Sequence, residues 1–175
     1  MSTSLVSVTR TYLELTAPTH LQPASGGDSG VQVLRVAECP PSFYRYLYAE
    51  VGRAYRWRDR LGWSDEQIRQ HLADPAISLW VAYRGGGPAG YFELRRHTDG
   101  SVEIAYFGLL PDFIGKGLGK RLLAEAAERA WATDASRVWL HTCTLDNPAA
   151  LPNYLARGFK PYREERYEVE LRGEG

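Results

Sequence analysis

The chain has 175 residues, 44% of them hydrophobic, which suits one globular domain with a core that stands without disulfides or metals. Its 21 basic residues balance 21 acidic ones, so nothing in the charge points to nucleic acid or an anionic membrane as partner. The two cysteines, Cys39 and Cys143, form no CxxC pair, which argues against a disulfide scaffold or a zinc site and for a reducing compartment. With no signal-like apolar segment and no run of membrane-spanning length, a cytoplasmic protein is expected.

In chain order, Ser4 to Leu15 carries β-favouring residues and reads as an extra strand or arm, a segment that could also pair with a second copy in a homodimer. Ala24 to Gly30 (ASGGDSG) reads as a flexible connector, so residues 1–30 are set apart from a main domain over 31–175. Val31 to Ala37 alternates as a strand; Pro40 and Pro41 stop it, and an aromatic-rich helix follows over about Ser42 to Val51. Ser64 and Gln67 form a capping box, with Trp63 and Ile68 as its hydrophobic staple, for a helix ending at Asp74-Pro75. Ile77 to Arg84, a Gly-Gly-Gly-Pro turn, Ala89 to Arg96, the Asp99-Gly100 turn and Ser101 to Leu110 make an antiparallel meander. A long helix over about Gly117 to Thr133, a strand over Arg137 to Leu145, a short helix opened by Asn147-Pro148 and ended by Gly158, and a last strand over Tyr162 to Leu171 complete the chain. This order predicts an α/β (α+β) fold: a mixed, mostly antiparallel sheet of six or seven strands with helices on both faces.

Pro111 to Lys120 reads PDFIGKGLGK, directly between a strand and a helix. Gly115, Gly117 and Gly119 let several backbone N–H groups converge, the helix adds its positive end, and Lys116, Lys120 and Arg121 bring mobile charge. A diphosphate is the expected guest. The spacing excludes a P-loop, and a strand that ends an antiparallel meander does not open a dinucleotide-binding unit.

At this loop the sequence resembles the GNAT superfamily of N-acetyltransferases, whose coenzyme motif falls on Ile114-Gly115-Lys116-Gly117-Leu118-Gly119. Ile114 stands where the family carries Gln or Arg, which leaves the contact to backbone donors. Asn147-Pro148-Ala149-Ala150, Tyr154 and Arg157-Gly158-Phe159 match the family's second segment, with Pro152 as an unusual insertion in the helix. The resemblance covers roughly Val31 to Leu171. It implies two central parallel strands that splay apart around the pantetheine arm of acetyl-CoA, a co-substrate, with no metal required. Phe107, Leu109 and Leu110 would border that arm, with main-chain groups of Leu109 and Leu110 meeting its amides. Leu118 and Lys120 would complete the coenzyme site, and Asn147 would touch the arm or the acceptor side while capping its helix.

Glu103 is the candidate general base for an amine nucleophile, and Tyr154 the candidate acid for the departing thiolate. Simple alternation puts Glu103, Ala105 and Phe107 on one face of the strand, with Ile104 and Tyr106 on the other. A Glu103 that faces solvent or pairs with Arg95 is the rival reading. His141 borders the expected cleft. The Tyr55 to Arg60 run would cover an acceptor, a small-molecule or peptide amine, and its arginines would favour one that also carries an acidic group. The expected reaction is direct acetyl transfer in a ternary complex, with an oxyanion held by backbone N–H near Leu109. A non-catalytic acyl-CoA-binding regulatory module of the same fold, or an enzyme for a longer acyl donor, are the competing expectations.

Overall fold

A computed structural model describes residues 3–26 and 30–172. The centre of the ASGGDSG connector, residues 27–29, lies outside the described residues. Seven strands form one sheet: β1 (Thr3–Leu15), β2 (Val31–Arg35), β3 (Ile77–Arg84), β4 (Gly87–Arg96), β5 (Val102–Leu109), β6 (Val138–Cys143) and β7 (Lys160–Arg172), in the order β2-β3-β4-β5-β6-β1-β7. Every neighbouring pair is antiparallel except β5 and β6.

Helices cover both faces of the sheet. On one face lie α1 (Pro41–Gly52) and α2 (Asp65–Ala73), on the other α3 (Leu118–Trp131) and α4 (Ala150–Ala156). In α1, Tyr44, Leu47, Tyr48 and Val51 repeat at helical spacing and are all buried. Pro41 opens this helix, a position where a missing N–H goes unnoticed. Ser64 and Gln67 close the expected capping box on α2, and the staple pair Trp63 and Ile68 joins the core beneath it. The buried stripe of α3, Leu118, Leu122, Leu123, Ala126, Ala127 and Ala130, packs with Phe92, Ile104 and Leu140. Ala89 through Leu94 are buried without interruption, as befits a central strand covered on both faces. None of the described helices is long and apolar enough to cross a membrane.

Residues on both sides of the connector share this sheet. Strand β1 pairs with β6 from Arg10–Cys143 to Leu15–Val138 and with β7 from Thr3–Arg172 to Glu14–Lys160. Val8, Leu13 and Leu15 are in the core. From Arg10 to Glu14 both edges of β1 are thus taken by its own chain, so this segment is an integral strand of the sheet.

The short helix α4 begins at Ala150, three residues after Asn147, so Asn147 does not cap it directly. Asn147 Oδ1 instead accepts from the Ala149 N–H at 2.9 Å and organises the preceding turn. Pro152 falls in the first turn of the helix, where its lost N–H has no intrahelical partner to forgo. The far end closes in a Schellman pattern: Phe159 N–H donates to Tyr154 O and Gly158 N–H to Leu155 O, with Gly158 at φ +97°. A side chain on Gly158 would bring a Cβ to 2.1 Å from the His20 carbonyl oxygen, a backbone atom. Gly158→Ala is therefore expected to destabilise the fold by about 3 kcal/mol, from left-handed strain plus that clash. Urea unfolding measures it, and a midpoint unchanged from the wild type would contradict this account.

Candidate active site

Two parallel strands that stay paired leave no room between them. Here β5 and β6 are in register only at Val102–Val138 and Glu103–Trp139, although β5 runs on to Leu109 and β6 to Cys143. Beyond Glu103 they part, and a cleft of about 900 Å³ opens between them. Its floor at one end is the glycine loop. Gly115 (φ +82°) and Gly117 (φ +75°) are both left-handed, and Gly117 is the residue before the first turn of α3. No side chain caps that helix and its first turn holds no acid. Its free N–H groups and dipole face a cleft bordered by Ile114, Gly115, Gly117, Leu118, Gly119 and Lys120. These groups fit an anion such as a diphosphate.

Of the residues singled out from the sequence, Phe107, Leu109, Asn147, Glu103 and Tyr154 border this same cleft, whereas Leu110, Lys116 and Arg121 do not. Leu110 turns away: its N–H donates to Ala89 O at 2.8 Å and its carbonyl accepts from Phe113 N–H at 3.0 Å. Both of its main-chain groups are thus engaged inside the protein, which corrects their expected part in binding pantetheine. Lys116 points outward over the Phe113 ring, 5.5 Å from its centroid.

The strand carrying Glu103 is not regular. Opposite β4, the register passes from Glu93–Tyr106 to Leu94–Ile104, so Ala105 is an extra residue, a β-bulge. The bulge corrects the expected alternation. Ile104 packs in the core under α3, whereas Tyr106 packs with α1 and α2, so the two lie on opposite faces. Glu103 Oε1 lies 2.9 Å from His97 Nε2, and His97, rather than Arg95, is its partner. Across the cleft Tyr154 is buried, with its ring against Phe107 and Phe159 at 6.3 Å each. Burial, then the Asp146 carboxylate and Tyr55, hold its pKa above the ordinary tyrosine value, so the phenol keeps its proton.

Among the other groups here, Asp146 and Arg10 were not singled out from the sequence. The Tyr55 hydroxyl meets the Leu109 backbone, which partly offsets the upward push that burial and Asp146 give its pKa. Asp146 accepts from Thr142 Oγ1 at 2.6 Å and from Cys143 N–H at 2.9 Å, closing the end of β6. Burial and that carboxylate push the Cys143 thiol up, away from nucleophilic character. His141 lines the cleft wall, its pKa lowered by the crowding walls and then by Arg10. Strand β1 delivers Arg10 to this wall, opposite Cys143.

The wall opposite the glycine loop is the Tyr55–Arg60 segment. Trp57 anchors it, ring-on-edge to Tyr106 at 4.8 Å and to Tyr91 at 6.2 Å. Arg60 ties it down by charge. Its Nη1 donates to Glu93 Oε1 and Oε2 at 2.8 and 3.0 Å and to the Tyr44 hydroxyl. Its guanidinium covers Tyr106 at 4.3 Å and Trp63 at 4.7 Å. Glu93, 0% exposed, also accepts from the Tyr44 hydroxyl at 2.9 Å and lies 3.1 Å from His71 Nε2. Burial would raise the Glu93 pKa; the His71 contact and the Arg60 charge outweigh it and hold it below the ordinary value.

Comparison with known proteins agrees with this architecture. The Acetyltransferase (GNAT) family model matches residues 43–159. A mycothiol acetyltransferase from Gordonia bronchialis is 31% identical over 117 residues, which span 62% of this chain and 37% of that protein. The chain therefore spans little more than a third of that relative's length. A GCN5-related N-acetyltransferase from Kribbella flavida superposes with a TM-score of 0.66 at 22% identity, over 98% of this chain and 61% of that one. An aminoglycoside acetyltransferase from an uncultured soil metagenomic sample, in complex with trehalose, gives 0.62 at 15% identity, over 74% of this chain and 88% of that one. At these identities the two structures speak for the fold alone.

Proposed function

The chain belongs to the GNAT acetyltransferase family, and from that premise we propose that it moves an acetyl group from acetyl-CoA to a primary amine by direct attack in a ternary complex. The observation that carries this reading is the parting of β5 and β6 beside an uncapped helix N-terminus and two left-handed glycines. When bound, acetyl-CoA supplies an acyl thioester.

The protein's own groups then have separate tasks. Backbone N–H groups from Gly115 to Gly119, with Lys120 nearby, hold a diphosphate. Phe107, Leu109 and Ile114 border the arm, and a backbone N–H near Leu109 meets the charge that develops on the carbonyl oxygen. Glu103, oriented by His97, takes the amine proton directly or through water. Tyr154, still protonated at neutral pH, donates to the departing sulfur. Asn147 keeps the turn before α4, and so Tyr154, in position.

The deciding experiment is release of free CoA from acetyl-CoA across an amine panel, with calorimetric titration of acetyl-CoA alongside. Turnover with at least one amine is expected. Binding with no turnover would replace the enzyme by a non-catalytic acyl-CoA-binding module. Glu103→Gln is expected to lower kcat by ten- to a hundredfold, leaving acetyl-CoA affinity alone. A variant that keeps more than half of the wild-type kcat would take Glu103 out of the mechanism.

A further inference from the structure

The cleft has an end that the coenzyme reading does not use. Among its lining groups are Arg56, Arg58 and Arg95, whose side chains have no hydrogen-bond or ion-pair partner among the described residues. The contrast with Arg60 in the same segment is the informative point. Arg60 is neutralised from behind by Glu93 and packed between Trp63 and Tyr106, so it serves the architecture. Arg56 and Arg58 have no such duty and stand exposed.

The backbone gives Arg56 an unusual posture. It is left-handed at φ +58°, one of two such non-glycine residues among those described. A non-glycine residue there costs free energy unless the surroundings enforce it, and such strain gathers at functional sites. Here the enforcing contacts are its neighbours: Tyr55 N–H and Trp57 N–H both donate to Gly52 O, at 3.1 and 3.0 Å, and Trp57 locks into the aromatic core. The strained residue between them, exposed and with no partner of its own among the described residues, lines the cleft. Arg95 lies across the sheet from Glu103, in register with it, so this charge borders the proton acceptor.

We infer that the acceptor is an amine that also bears an acidic group, a carboxylate or a phosphate, gripped by Arg56 and Arg58 with Arg95 alongside, while its amine reaches Glu103. A guanidinium pairs such a group through two parallel N–H donors, which fixes orientation as well as adding affinity. This deepens the acetyl-transfer reading and rests on it.

The test uses matched pairs: α-amino acids against their α-carboxamides, and phosphoethanolamine against ethanolamine. For the wild type, kcat/KM is expected to favour the acidic member of a pair on the order of tenfold or more. In the doubly substituted Arg56→Ala, Arg58→Ala variant that ratio should fall toward one, with the KM for acetyl-CoA unchanged; Arg56→Lys should recover part of the ratio. Equal or better turnover of neutral members, or a preference that survives in the double variant, overturns the inference. If no pair is turned over, catalysis is what has failed. The acid preference is then read from calorimetric binding of the same pairs to the CoA-saturated protein, where equal or absent heats for acidic and neutral members count against it.

Discussion

Tyr154→Phe is expected to lower kcat by about a hundredfold while acetyl-CoA binding survives. The substitution removes one oxygen and keeps the ring, so the packing against Phe107 and Phe159 persists and the fold is not at stake. What goes is a donor whose protonation is secured by its setting. Burial, the Asp146 carboxylate and Tyr55 all oppose ionisation, so the phenol carries its proton through neutral pH and above. A sulfur leaving beside it gains a hydrogen bond that strengthens as negative charge develops. The loss should therefore appear in kcat and kcat/KM alike. Steady-state kinetics with calorimetric acetyl-CoA titration separates the two effects, and a kcat within threefold of wild type would reassign the proton to water.

The largest expected change in stability comes from Glu93. Its carboxylate is wholly buried and answered by Arg60, Tyr44 and His71. Removing one partner of such a pair leaves the other charge without compensation, at about 3–5 kcal/mol. Glu93→Ala should lose that much in urea unfolding. Because the folded pKa lies below the ordinary carboxylate value, the stabilisation is complete above that value and disappears as pH falls through the folded pKa. The gap between wild type and Glu93→Ala should therefore narrow toward acid pH. A loss below 1 kcal/mol at neutral pH would mean that Arg60 finds water or another partner. Since Arg60 holds the Tyr55–Arg60 wall, a folded fraction of this variant should also show a raised acceptor KM, with that for acetyl-CoA little changed.

The sequence made local features legible and long-range ones obscure. The capping box on α2, the meander and the glycine loop before α3 depend on residues a few positions apart, and each reads directly. Asn147 reads as a helix cap because capping and turn-forming residues share a chemistry; only the path of the backbone separates them. The bulge at Ala105 has no signature within β5, for it exists only relative to the register of β4, and it alone moves Glu103 to the face of Tyr106. Glu93 is harder still. In a stretch reading GYFELRR, a carboxylate suggests a solvent-facing position, yet its partners come from α1, α2 and a loop 33 residues away. Arg10 escaped notice for the same reason: its partners on β6 and β7 lie more than 130 residues further along.

The place of β1 carries a consequence for how the molecule is made. Leu13 sits between Leu140 and Pro161, so β1 has no bonding neighbour until the ribosome has passed residue 143, and no second one until β7 emerges. Until then that ribbon of unpaired amides has to stay open, with Val8, Leu13 and Leu15 uncovered. Completion of the sheet thus waits on strands more than 120 residues downstream, a long-range closure of the kind that slows folding and invites association with other nascent chains.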